Sequence, residues 1–217
     1  MAQFASSSVC VIGSKFMAPY PFDIIVDPNS GGNLVITDIN HKILLKVKPR
    51  DTTLHHQRVL LYPDGTPIVK LRDKILSQHN RWKVFMGDTT ASSKLIFSTK
   101  QPNIIQFKTS LEVFLTNKTS KANVCDFKIK GSWSKRKCTI SMGHSNSSTI
   151  IAQMHKIEKS KNEKFDKDKF MVTIYPNVDY AFVTALITIV DAMKSVDKEY
   201  GEQISASTSQ IMFATAS

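Results

Sequence analysis

Cysteine is scarce in this 217-residue chain. Cys10, Cys125 and Cys138 are the whole supply, an odd number at irregular spacing that argues against a disulfide framework and suits reduced thiols inside a cell. Hydrophobic runs of membrane-spanning length are also missing. The most apolar stretch, near the C-terminus, has eleven uncharged residues between Asp179 and Asp191, and Thr184 and Thr188 interrupt even those. A bilayer-spanning helix needs about 20 apolar residues. No basic residue precedes the short apolar patch of the N-terminus MAQFASSSVCVIGSK, so no secretory signal is expected. Ala2 stands where myristoylation needs glycine, and the final FATAS is no prenylation box. These absences predict a cytosolic or nuclear protein, peripheral if it meets a membrane, and make the sequons at Asn117 and Asn146 chance matches.

The motifs of catalysis and metal binding are missing too. The six histidines, His41, His55, His56, His79, His144 and His155, are scattered. Adjacent His55 and His56 would face opposite sides of a strand, and there is no HExxH or Cys-x-x-Cys spacing. G-x-S-x-G, P-loop, dinucleotide and EF-hand patterns are not found. The carboxylates Asp38, Asp64, Asp126 and Asp179 read as turn and cap residues. The expectation is a protein without enzymatic activity, cofactor or metal.

Acidic residues number 18 against 29 lysines and arginines, for a net charge of +11. Lys118, Lys121, Lys128, Lys130, Lys135, Arg136 and Lys137 face only Asp126 in one window. A smaller excess, Lys42, Lys46, Lys48, Arg50 and Arg58, faces only Asp51. Such potential favours anionic partners, whether lipid headgroups, nucleic acid or acidic protein. Alternation sends Lys128 and Lys130 to the face opposite Phe127 and Ile129, beside Lys135, Arg136 and Lys137. Lys46 and Lys48 have the same outward geometry. These seven residues are the candidate headgroup contacts, competing with the plainer reading of a solvated strand face. Trp133, beside the basic triplet, reads as a packed residue or a headgroup-level aromatic, and Trp82 as core.

Short alternating segments fill most of the chain. Leu34–Ile39 and Ile43–Lys48 flank a predicted turn at Asn40-His41, and RVLLY and TPIVKLR flank Pro63-Asp64-Gly65. RWKVFM, KLIFSTK, IIQFKT, LEVFLT, VCDFKIKG, KCTISM, TIIAQMHK and KFMVTIY complete twelve predicted strands. Spacings of about 8 to 12 residues indicate an antiparallel sandwich or barrel. From about Tyr180 to Val196 the chain is instead apolar on all sides, as a buried helix must be. A twelve-stranded barrel is too wide for its own side chains to fill, so one such helix, roughly 25 Å long, can plug it. Without a Pro/Gly/Ser-rich linker the chain reads as one domain, 1–217, with poorly ordered tails at about 1–15 and 201–217. KIEKSKNEKFDKDK, 156–169, reads as a solvated hairpin loop.

APYP at 18–21, NLVITDINHKILLKVK, RVLLYPDGTPIVKLRDKILSQHNRWKVF, CDFKIKGSWSKRKCTI, IIAQMHK and VTIYPNVDYAFVTALITIVDAM together resemble the plant LURP-one-related family across almost the whole chain. The resemblance implies a mainly β fold, a closed twelve-stranded antiparallel barrel around a central hydrophobic C-terminal helix, shared with the tubby C-terminal domain and phospholipid scramblases. It also implies a membrane-tethered regulator in plant defence that recognises phosphoinositides. No tubby lipid contact or scramblase calcium segment can be matched residue by residue. His41 departs from the family's Asn-Gly turn, and a side chain at positive φ is costly. The leading expectation is an interaction module for anionic lipid headgroups that also engages signalling proteins. The rivals are a nucleic-acid-binding regulator and a scramblase-like lipid-handling protein.

Overall fold

The computed structural model describes residues 8–74, 81–102, 109–117, 124–143, 149–157 and 168–195. Twelve strands form one closed antiparallel barrel: β1 (Phe22–Pro28), β2 (Leu34–Asp38), β3 (Ile43–Pro49), β4 (Gln57–Leu61), β5 (Pro67–Lys74), β6 (Arg81–Met86), β7 (Leu95–Lys100), β8 (Thr109–Leu115), β9 (Phe127–Ser132), β10 (Lys137–Met142), β11 (Ile150–Lys156) and β12 (Phe170–Ile174). Each strand pairs with its sequence neighbours, and β1 closes the ring on β12 with Ile24 opposite Val172. Helix α1, residues 180–195, fills the lumen.

The strand total matches expectation, but its membership differs. Phe22–Pro28 was not foreseen as a strand, because Asp23, Asp27 and Pro28 crowd its short apolar centre; Ile24 and Val26 nevertheless point inward and are fully buried. IIQFKT falls largely outside the described residues, and its last member, Thr109, starts β8. Most of the 156–169 loop and residues 196–217 also lie outside them, as does Val196 at the foreseen helix end.

The plug is held by packing and by satisfied polar groups. Every residue from Ala181 to Val190 is buried, and the Phe182 ring meets Phe97 and Phe127 edge-on at centroid distances of 5.3 and 5.0 Å. Thr184 and Thr188 stay in this apolar setting because each hydroxyl donates to the carbonyl four residues back, at 2.8 Å. Among the described residues no helix is long and apolar enough to cross a membrane.

Residues 8–15, expected as part of a loose tail, are built into the fold. Val9 pairs with Val178, and the N–H groups of Ile12 and Gly13 donate to the Asp179 carboxylate. At the first hairpin His41 does adopt positive φ, 63°. The Asp38 carboxylate braces that turn by accepting the N–H groups of Asn40 and Lys42, each at 2.9 Å. In the β9–β10 hairpin Gly131 is obligatory: its φ is +144°, and a Cβ there would lie 2.1 Å from the Lys137 carbonyl oxygen.

Candidate anion-binding surface

Alternation decides which charges leave the barrel wall. In β6, Trp82 and Val84 are buried while Arg81 and Lys83 are exposed; in β7, Phe97 and Thr99 point inward and Lys100 does not; in β8, Leu111 and Val113 flank an outward Glu112. Register then aligns cations side by side. Arg72 stands opposite Lys83 and Lys74 opposite Arg81, so two like-charge cross-strand pairs lie next to each other. Lys74, Arg81, Lys83 and Lys100 line a groove of about 570 Å³ that runs from β5 to β8, in which Glu112 is the one carboxylate among the described residues. Like charges directly opposite each other weaken a sheet, with cross-strand pair energies of roughly 0.2–1 kcal/mol. Two such pairings side by side therefore tend to weaken this wall of the sheet.

The candidate residues from the sequence are split by the ring. Lys128 and Lys130 project from β9 beside the groove: Lys128 stands opposite Glu112, with Nζ 3.8 Å from its carboxylate, and Lys130 is exposed opposite Ser110 and Thr139. Lys135 and Lys137 are exposed in and after the β9–β10 turn. Lys46 and Lys48 lie on β3, six strands from β9 in either direction around the ring of twelve, so the two basic windows occupy opposite sides of the barrel. The β3 window is also largely engaged within the protein. Lys46 Nζ donates to the Pro63 carbonyl at 2.7 Å, Arg50 pairs with Asp88, and the buried Arg58 guanidinium donates to Asp51 at 2.7 Å. Lys48 remains exposed there. Lys118 and Lys121 lie outside the described residues.

Arg136 sits elsewhere. At positive φ, 52°, its guanidinium lies over the Trp133 and Phe170 rings, at 5.0 and 4.4 Å from their centroids, and donates to the Asp168 carbonyl. Burial lowers its pKa, partly countered by Asp191 and Asp168. Trp133 packs edge-on against Phe170. Trp133 also lines a cavity together with Ile187 and Val190 of α1. Nearby, burial pushes the Cys138 thiol up to about 11, so it stays protonated at neutral pH.

Lys74, Arg81, Lys83 and Lys100 escaped notice in the sequence because they come from three strands and form no charge run. Alternation within RWKVFM was the available signal for two of them. Elsewhere the carboxylates serve structure, as their turn and cap positions predicted. Asp64 and Asp126 accept backbone N–H groups at 2.8 Å, and Asp88, its pKa lowered chiefly by a hydrogen bond from Lys70, also pairs with Arg50. Among the described residues no group of three His, Cys, Asp or Glu side chains could hold a metal ion.

A sequence model described as LURP-one-related matches residues 26–191. The chain belongs to the LURP-one-related family. It is 44% identical to Protein LURP-one-related 15 of Arabidopsis thaliana over 193 residues, 87% of each chain. It is 39% identical over 184 residues to Protein LURP1 of the same plant, covering 83% of this chain and 87% of that one. An X-ray structure of an Arabidopsis thaliana protein superposes with a TM-score of 0.66 at 40% identity, over 85% of this chain and 98% of the other. The LURP-one-related assignment carries the barrel and its plug; the groove rests on the residues named above.

Proposed function

We propose that this LURP-one-related protein is a non-enzymatic interaction module that docks peripherally on anionic membranes and acts in plant defence signalling. The observation that carries the lipid reading is a pair of like-charge cross-strand pairings, Lys74 opposite Arg81 in the groove and Arg72 opposite Lys83 at its edge, where Glu112 is the one carboxylate among the described groove residues. A multiply charged anion in the groove relieves that repulsion, and phosphoinositide headgroups have the required charge. Lys128, Lys130, Lys135 and Lys137 extend the positive surface toward β10. Lys46 and Lys48 face away and contribute little. The defence role rests on the resemblance to the family. A cytoplasmic location agrees with the reduced-thiol reading of the cysteines.

Basic side chains at a membrane surface contribute roughly 1 kcal/mol each. Replacing Lys74, Arg81, Lys83 and Lys100 together by Gln should therefore weaken sedimentation with phosphoinositide-containing vesicles by about a thousandfold and lower its salt sensitivity, with the circular dichroism spectrum unchanged. Undiminished vesicle binding by that variant, or parent protein that prefers duplex DNA to vesicles at matched salt, would overturn the reading.

A further inference from the structure

Beside the groove, Arg72 is held by a histidine. His55 lies in the loop before β4, with Nδ1 3.2 Å from an Asp73 carboxylate oxygen and Nε2 against the Arg72 guanidinium. Arginine can only donate hydrogen bonds, so Nε2 accepts; Nδ1 therefore carries the proton and donates it to Asp73. The imidazole is neutral in this arrangement. It forms one wall of a cavity of about 240 Å³ whose other polar groups are Arg72, Lys74, Lys83, Thr90 and Ser92, with Asp73 as the one carboxylate among the described residues. Lys74 and Lys83 line both this cavity and the groove, so the two adjoin.

We propose that the cavity is a phosphate-binding site in which anion binding is coupled to protonation of His55; this rests on reading the β5–β8 wall as an anion surface. A solvent proton taken up by Nε2 turns that nitrogen from acceptor to donor, and the Arg72 contact is lost. Arg72 then turns to the anion. The imidazolium keeps its bond to Asp73 and adds a positive charge to a cavity that also holds Lys74 and Lys83, while the Thr90 and Ser92 hydroxyls supply neutral donors. The charged and titratable groups around the ring are Arg72, Asp73 and Lys74 from β5 and Lys83 from β6, with His56 and Asp51 in its own loop; Asp51 is engaged by Arg58 and the Gln57 N–H. The ligand class is a phosphate group, free or on a lipid headgroup.

Isothermal titration with inorganic phosphate and with sulfate, which does not titrate in this range, in two buffers of different ionisation heat tests the coupling. Parallel arms use phosphatidylcholine vesicles containing phosphatidic acid or phosphatidylglycerol. The parent protein should take up as much as one proton per bound anion and bind sulfate roughly fivefold more tightly when the pH is lowered by about two units from neutrality. His55→Gln, which can still accept from Arg72, should bind without proton uptake, and Lys83→Gln should bind weakly at every pH. Coupled binding of the free ions supports a soluble phosphate ligand, and coupled binding only of phosphatidic acid vesicles supports a lipid one. Binding without proton uptake, or equal pH dependence in His55→Gln, overturns the coupling and leaves the anion surface standing. No binding of ions or vesicles overturns both.

Discussion

The Asp179 carboxylate ties Ile12 to Phe182: one oxygen accepts the Ile12 N–H at 2.7 Å and the other accepts the Phe182 N–H at 3.0 Å. The second bond caps the plug helix, and the first, with that from Gly13 at 2.9 Å, fastens the N-terminal segment across its start. The group is wholly buried, so no water replaces these bonds if the carboxylate is removed. Asp179→Ala should cost about 3–5 kcal/mol, combining a lost cap with stranded N–H groups. Urea unfolding measures it, and a loss of less than about 1 kcal/mol would show that the helix start is fastened by packing alone.

Arg136 and Lys130 lie close in sequence but should behave differently. Arg136→Gln removes a guanidinium from two aromatic faces and should lower stability by about 1–2 kcal/mol. Lys130→Gln should change stability by less than about 0.5 kcal/mol and weaken vesicle binding instead. Melting and sedimentation measured on both variants check this, and a reversed pattern would return Arg136 to the outer surface.

Burial raises the Asp191 carboxyl pKa, and Arg136 and Arg58 only partly oppose the shift. A carboxyl whose pKa is higher in the folded state favours folding while protonated. That contribution is complete below the unfolded value of about 3.9 and is lost as pH rises through the folded value. The parent's melting temperature should therefore fall across this window more than that of Asp191→Asn, and the variant should be the more stable at neutral pH. A less stable variant at neutral pH would mean that the two arginines dominate.

Periodicity made most of the barrel legible. Alternation located β2 to β12, and all-round apolarity located the plug. β1 escaped because two aspartates and a proline masked its inward pair, Ile24 and Val26. The candidate site was less legible, for a geometric reason. A charge run in sequence reports one strand and its turn, whereas a barrel groove samples one or two residues from each of several strands. Lys128 and Lys130 were placed correctly on the outer face by their alternation with Phe127 and Ile129. Arg136, in a turn at positive φ, obeyed no alternation and folded over Trp133. The distance between the β3 and β9 windows depends on ring closure, which no local pattern encodes.

The central claim is that the wall of β5 and β6 keeps an unfavourable charge arrangement for the sake of an anion. Lys83→Glu tests it most directly, because it turns the contact with Arg72 from repulsive to attractive. Melting and phosphoinositide-vesicle sedimentation should be measured on the same preparation. Stability should rise by about 0.5–1 kcal/mol, while vesicle affinity should fall roughly thirtyfold for a charge change of two. A variant that is less stable than the parent and binds vesicles as well would contradict the account.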